Sequence, residues 1–210
     1  MESVQQGFAF LLKGGPVMWP LFACAIISVA VMIERYFALR KAAADDQALL
    51  ALVRRHLTEG RMDEALDLCE QAPGPIAAMM ASGIRNRHLS ADAIERAMEE
   101  LAMQETPALY KRLGVLDTII TLAPLLGLLG TITGMIRAFH VVASVSGLNA
   151  PTAITGGVAE ALIATACGLT IAIVTLPGYN YLTERVKEII SQMEIAATQL
   201  LNILANLQGA

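Results

Sequence analysis

Charge is scarce in this chain, and so are aromatic rings and cysteines. Asp, Glu, Lys and Arg together make up 16% of 210 residues, and aromatics make up 5%. The formal net charge is −4, so no basic field invites nucleic acid. Few rings mean no run of stacking platforms for bases. The cysteines, Cys24, Cys69 and Cys167, lie far apart and form no CxxC or Cys/His spacing. They read as small apolar side chains, with neither a disulfide framework nor a metal site. His56 and His88 stand alone among polar residues and read as solvated. The apolar runs hold no paired aspartates, no HExxH and no Ser/His pairing. An intramembrane enzyme would need such groups, so the expectation is a non-enzyme without cofactor.

What the chain has in quantity is apolar length. It is 55% hydrophobic, with mean hydropathy +0.56. A bilayer core needs about 20 apolar residues per helix. Three windows meet that need. Gly14 to Ile33 is uncharged between Lys13 and Glu34, and Thr118 to Ile136 is uncharged between Asp117 and Arg137. Val141 to Thr183 carries a single charge, Glu160, and its best span is Thr155 to Tyr179. The intervening "HVVASVSGLNAPTA" is rich in turn-forming residues and reads as a short connection.

Eleven of the fifteen Lys and Arg fall between Arg35 and Arg112, and Arg185 and Lys187 follow the third window. The positive-inside rule then puts the N-terminus outside and the C-terminus in the cytoplasm. Little basic charge precedes the first window and more follows it, so that window reads as a retained span, not a cleaved signal. The expected fold class is an all-α integral membrane protein with three transmembrane helices, N-out and C-in. Its parts are a periplasmic segment (1–13), helix one (14–33), a cytoplasmic helical region (34–117), helix two (118–139), a periplasmic connection (140–154), helix three (155–180) and a cytoplasmic C-terminal helix (181–210).

In the cytoplasmic region, "LLALVRRHLTEGRMDEALDLCEQ" predicts a helical hairpin turning at Gly60. "APGP", Ala72 to Pro75, predicts a break, and Ser90 an N-cap. The hairpin resembles half a tetratricopeptide unit, but no second copy follows. In the tail, Val186, Ile190, Met193, Ala197, Leu200, Leu204 and Leu207 form a heptad-like seam. Packing within the chain and packing on a neighbouring subunit both suit it.

On a wheel of about 100° per residue, Ala123, Gly127, Gly130, Thr131 and Gly134 gather on one side of the second span. In the third span Gly157, Glu160, Ala161, Ala164, Thr165, Gly168, Ala172 and Thr175 share a face, while Ile171 breaks the division. Small residues serve close helix packing, as in the Gly130 to Gly134 spacing, and they equally serve a pore. Glu160 favours an interior or a water path, because a charge at mid-bilayer costs about 2.5–3.5 kcal/mol or more. Ala161 to Thr183 is long enough to span alone, so Glu160 is placed either in the pore or at its outer lip. Pro124 and Pro177 suit either a structural kink or a hinge.

At these residues the chain resembles the ExbB/TolQ/MotA family of ion-driven motor subunits. "APLLGLLGTITGMIRAF" (Ala123 to Phe139) is similar to the family's second-helix signature, and "GGVAEALIATACGLTIAIVTLPGYN" (Gly156 to Asn180) to its third. "GGPVMWPL" and "MIERYFALRK" around the first span also fit. Three spans rather than four resemble the ExbB/TolQ branch. The resemblance implies a homo-oligomer, expected to be a pentamer, in the bacterial inner membrane. A dimer of a single-span ExbD/TolR-like protein would occupy its pore, and that partner's membrane aspartate would carry the proton. A TonB-like or TolA-like transducer would pass the work on. Thr131, Glu160 and Thr165 match the family's ion-pathway positions, and Gly127, Gly130, Gly134, Gly157 and Gly168 are read as helix-packing positions. The implied function is the channel-forming subunit of a proton-motive-force-driven complex serving outer-membrane transport. The alternatives are a TolQ-like role in outer-membrane integrity and division, or a non-conducting membrane scaffold.

Overall fold

In the computed structural model the described residues are 14–42, 46–144 and 150–208. All their regular structure is helical. Seven helices follow in order: α1 (Met18–Ala42), α2 (Asp46–Thr58), α3 (Met62–Gln71), α4 (Pro75–Arg85), α5 (Ala91–Tyr110), α6 (Leu113–Ser144) and α7 (Ala150–Gln208). The predicted periplasmic segment, 1–13, and the middle of the predicted connection, 145–149, lie outside the described residues. Three helical stretches are long and apolar enough to cross a membrane: Met18–Ala42, one ending at His140 and one beginning at Thr155. Helices suit that setting because every backbone N–H and C=O bonds within its own segment.

The chain forms two compact units: residues 1–33 with 112–180, and residues 34–111 with 181–210. In the first, the usual distribution of side chains is inverted. Trp19, Ile26, Leu125, Ile132, Ile136, Phe139, Leu162 and Ile173 are exposed, while Ala123, Ala138, Ala161 and Ala164 are buried. Bulky apolar groups on the outside are what acyl chains accept, and small ones inside let backbones approach. Val17, Met18, Leu21 and Cys24 of the α1 segment cluster with Ile119, Ala123 and Ala164. Ile171 packs on this cluster from α7. A two-sided wheel has no place for that residue, because α7 has two buried neighbours, α1 and α6. α6 contains Pro124 and α7 contains Pro177, and both helices run on through them.

The second unit is built from shorter helices. α2 and α3 turn at Gly60, whose φ of 77° is the left-handed conformation glycine tolerates best. Arg55 and Arg61 both bond Glu59 across that turn and hold its carboxyl below the usual range. The "APGP" break is realised as an extended Ala72, Gly74 at φ 114° and Pro75 opening α4. Ser90 occupies the N-cap position of α5, but its side chain makes no capping bond. Its carbonyl instead accepts from Ala93 and Ile94. Arg35 is buried, pairs with Glu34 and donates to the Ala108 carbonyl at 3.4 Å. That carbonyl lies in the last turn of α5, where acceptors lack helical partners and the dipole favours a cation.

The tail of α7 packs against its own chain. Leu200 and Met98 both close on Gly83 of α4, where an added Cβ would lie 2.7 Å from Leu200 Cδ2. The buried stripe is Leu182, Val186, Ile189, Met193, Ala196, Leu200 and Leu204. The predicted seam therefore holds at four positions and is displaced at three. Ile189 and Ala196 are buried in place of Ile190 and Ala197, and Leu207 is exposed. A step of three after Val186 and after Met193 keeps the stripe over the core, whereas a step of four turns it outward. Ile190 and Ala197 line an open apolar groove with Met98 and Met103.

Cys69 is buried in α3, and burial pushes its thiol up to about 12 from 9.0. A raised folded value favours the neutral thiol, so its contribution to stability is complete below the unfolded value and is lost as pH rises. Between about pH 9 and 12 the wild-type chain should lose stability more steeply than Cys69→Ala. Denaturant midpoints measured across that range would show it. Parallel slopes would count against it.

Candidate functional site

The site is the contact between α6 and α7, and the sequence makes it close by omitting side chains. Gly134 faces Ala161 and the Gly157 carbonyl, and a Cβ there would lie 2.8 Å from Ala161 Cβ. At Gly130 a Cβ would lie 2.5 Å from Ala164 Cβ. At Gly127 it would lie 2.9 Å from Thr165 Cα and 3.0 Å from the Ala164 carbonyl. Gly157 faces Ala138, and Gly168 lies directly on the Ala123 carbonyl. Rising positions on α6 thus meet falling positions on α7, so the two helices form an antiparallel hairpin. All five glycines predicted for packing lie in this one seam. Most of the small face is occupied by the facing helix, with Ala161 and Ala164 at most 2% exposed.

The predicted ion-pathway residues are spread along this seam. Thr165 is half-buried, and its hydroxyl donates across the seam to the Gly127 carbonyl at 2.9 Å. Thr131 lies one turn beyond Gly127 on α6, half-buried, and its hydroxyl donates to Leu128 of its own helix at 2.6 Å. Each hydroxyl keeps acceptor capacity for water or for an acid's proton. Thr133, which the sequence did not single out, bonds Leu129 and Gly130 of its own helix.

Glu160 lies further along α7. It lies five residues before Thr165, about 7.5 Å along a helix rising 1.5 Å per residue, towards the end of the hairpin where α6 and α7 are joined. Its Oε1 meets Arg137 Nη2 at 2.7 Å, with side-chain exposures of 25% and 49%. Gly15, at φ 76°, covers the pair, and a Cβ at that position would collide with Glu160 Oε1 and approach Arg137 Nη2 to 2.9 Å. The Gly15 carbonyl also accepts from Met18, starting α1. Sequence reading used Arg137 only to mark the end of a span. The signal for its role was present: between Asp117 and Glu184 the formal charges are Arg137 and Glu160 alone, of opposite sign.

Among the described residues no cluster of His, Cys, Asp or Glu is arranged to hold a metal. The fold and site together define a class: a helical protein with three apolar stretches able to cross a membrane, two of them locked through small residues beside an ion pair. Residues 71–195 match the model of the MotA/TolQ/ExbB proton channel family, and the chain belongs to that family. Relatives bear this out. A putative biopolymer transport protein ExbB homolog of Methanothermobacter thermautotrophicus is 30% identical over 185 residues, 87% of this chain and 65% of the relative. The putative biopolymer transport protein ExbB-like 1 of Synechocystis is 35% identical over 169 residues, 79% of this chain and 66% of the relative. The Tol-Pal system protein TolQ of Haemophilus influenzae is 40% identical over 96 residues, 45% of this chain and 41% of the relative. The chain thus spans about 65% of the length of the first of these relatives.

Proposed function

We propose that this chain is the channel-forming subunit of an inner-membrane complex that couples proton flow to work at the outer membrane. The observation that carries the reading is the family match over residues 71–195, which takes in Thr131, Glu160 and Thr165. The concentration of Lys and Arg between Arg35 and Arg112 supports a topology with 34–117 and the C-terminus in the cytoplasm. Five copies would surround a pore holding a dimer of an ExbD/TolR-like single-span partner, and a TonB-like transducer would carry the work outward.

A proton crossing the membrane potential releases about 2.3 kcal/mol per 100 mV. The partner's membrane carboxylate would take the proton from the periplasmic side and lose its charge. It would then leave its contact with Thr131 and Thr165 and turn relative to the ring. Those two hydroxyls would offer oxygen acceptors to the protonated acid or to water. Glu160, held by Arg137, would shape the approach to the threonines without carrying the proton. A TolQ-like role in envelope integrity is the second reading, supported by the similarity to the Haemophilus TolQ protein.

Proton flux in proteoliposomes containing the chain and its partner tests the mechanism. Thr131→Val and Thr165→Val should each lower flux at least about tenfold, equivalent to 1.4 kcal/mol. Thr165→Ser, which keeps the hydroxyl on the Gly127 carbonyl, should retain it. Undiminished flux in both valine variants would remove the two threonines from the pathway, and absence of flux in the wild type would favour a scaffold. A detergent-corrected mass well below five chains would exclude the ring.

A further inference from the structure

The second unit contains a small polar cleft that the function above does not use. The apolar run of α1 gives way to charge at Glu34, and that of α7 at Glu184. Close to these points Tyr36 and Tyr181 stack, with ring centroids 6.4 Å apart and planes at 30°. Beside them is a cavity of about 110 Å³ lined by Tyr36, Leu39, Arg40, Tyr181, Leu182 and Arg185. Leu39 and Leu182 are buried and form an apolar floor, whereas the two tyrosines are exposed. At about 30 Å³ of liquid volume per water, the cavity has room for a phosphate group.

The chemistry of the lining is specific. Arg40 and Arg185 bring two permanent cations to one cleft. Arg185 Nη1 bonds Glu188, which leaves further guanidinium donors in a planar fork suited to phosphate oxygens. That bond also raises the Arg185 pKa, so its charge is fixed. Tyrosines gather where membrane meets water, ring towards the hydrocarbon and hydroxyl towards the headgroups. Trp19, in contrast, lies near the other end of α1. Basic clefts at the ends of membrane helices recognise anionic headgroups.

We propose that this cleft binds the phosphate of an anionic phospholipid of the adjacent leaflet. Arg40 and Arg185 hold the phosphate oxygens, and Tyr36 and Tyr181 lie against the glycerol and the first methylenes. The exposed Phe37, edge-on to Tyr36 with ring centroids 5.6 Å apart, continues the apolar path for an acyl chain. The proposal needs the chain to be embedded in a membrane and does not depend on proton conduction.

Native mass spectrometry of the full chain in detergent, titrated with phosphatidylglycerol, phosphatidylcholine or inorganic phosphate, tests it. Phosphatidylglycerol should be retained at least about five-fold more than phosphatidylcholine, the ratio expected from one basic contact. Arg40→Gln/Arg185→Gln should lose that preference. Arg54→Gln/Arg96→Gln, which removes the same charge from exposed positions elsewhere, should keep it. Equal loss in both double variants would reduce the effect to net charge and overturn the proposal. Equal retention of the two lipids would overturn it as well. Displacement of phosphatidylglycerol by millimolar inorganic phosphate would mark a free-anion site and overturn the lipid assignment.

Discussion

Gly168→Ala is expected to lower the thermal midpoint of the purified chain by about 10 °C, and Gly168→Val to prevent recovery of folded protein. The cause is local and backbone-based. At Gly168 the nearest neighbours of an added Cβ are the Ala123 carbonyl and Gly127 Cα, which belong to the facing helix and cannot rotate away. The helices must separate, and separation breaks the contacts at Gly127, Gly130, Gly134 and Gly157 together. Overpacking of this kind costs about 1–3 kcal/mol, or more where no rotamer relieves it. For a chain of this size each kcal/mol shifts the midpoint by about 2–4 °C. Gly156→Ala is the matched control, since a Cβ there meets nothing within 4 Å and alanine favours the helix. Fluorescence-detected size exclusion after heating reads both variants. A midpoint for Gly168→Ala within 2 °C of wild type would show that the seam is looser than described, by the same conversion.

The second large effect is expected at Arg137. Arg137→Gln should destabilise the chain by about 2 kcal/mol, because it leaves Glu160 in an apolar helix without its cation. The figure is below that for a fully buried pair, since the two side chains are 49% and 25% exposed. Glu160→Gln should cost a similar amount for the mirror-image reason. The informative variant is Arg137→Gln/Glu160→Gln, which should be more stable than either single change, as two neutral amides leave no unpaired charge. Arg137→Glu should be the most damaging, with two carboxylates under Gly15. Additive losses in the double variant would mean that the two groups do not depend on each other.

Much of the membrane part is legible in the sequence. Long uncharged runs mark the spans because lipid leaves the backbone no alternative to the helix. Glycines at Gly127, Gly130 and Gly134 gather on one side because the period of the helix puts them there. What the wheel does not contain is the partner of each face. Ile171 looked misplaced only because α1, which it touches, was absent from a two-helix comparison. Arg137 was passed over for the same reason: its partner is 23 residues away, across the connection. In the tail, Ile189 and Ile190 are equally apolar, so only the core beneath them decides which is buried. Ser90 carried a sound capping signal, yet its hydroxyl makes no capping bond in α5. The ion-pathway roles of Thr131, Thr165 and Glu160 came from the resemblance; the structure adds that Thr165 bonds the Gly127 carbonyl and that Glu160 pairs with Arg137.

The Arg137–Glu160 pair also bears on biogenesis. A segment leaving the translocon with an isolated arginine enters lipid reluctantly, and one with an isolated glutamate fares little better. Here the two charges sit on neighbouring arms of one hairpin. They neutralise each other only when both arms are present. Insertion of the two arms as one hairpin is the expected consequence, and a ribosome stalled between the two helices would leave the first without its counter-ion.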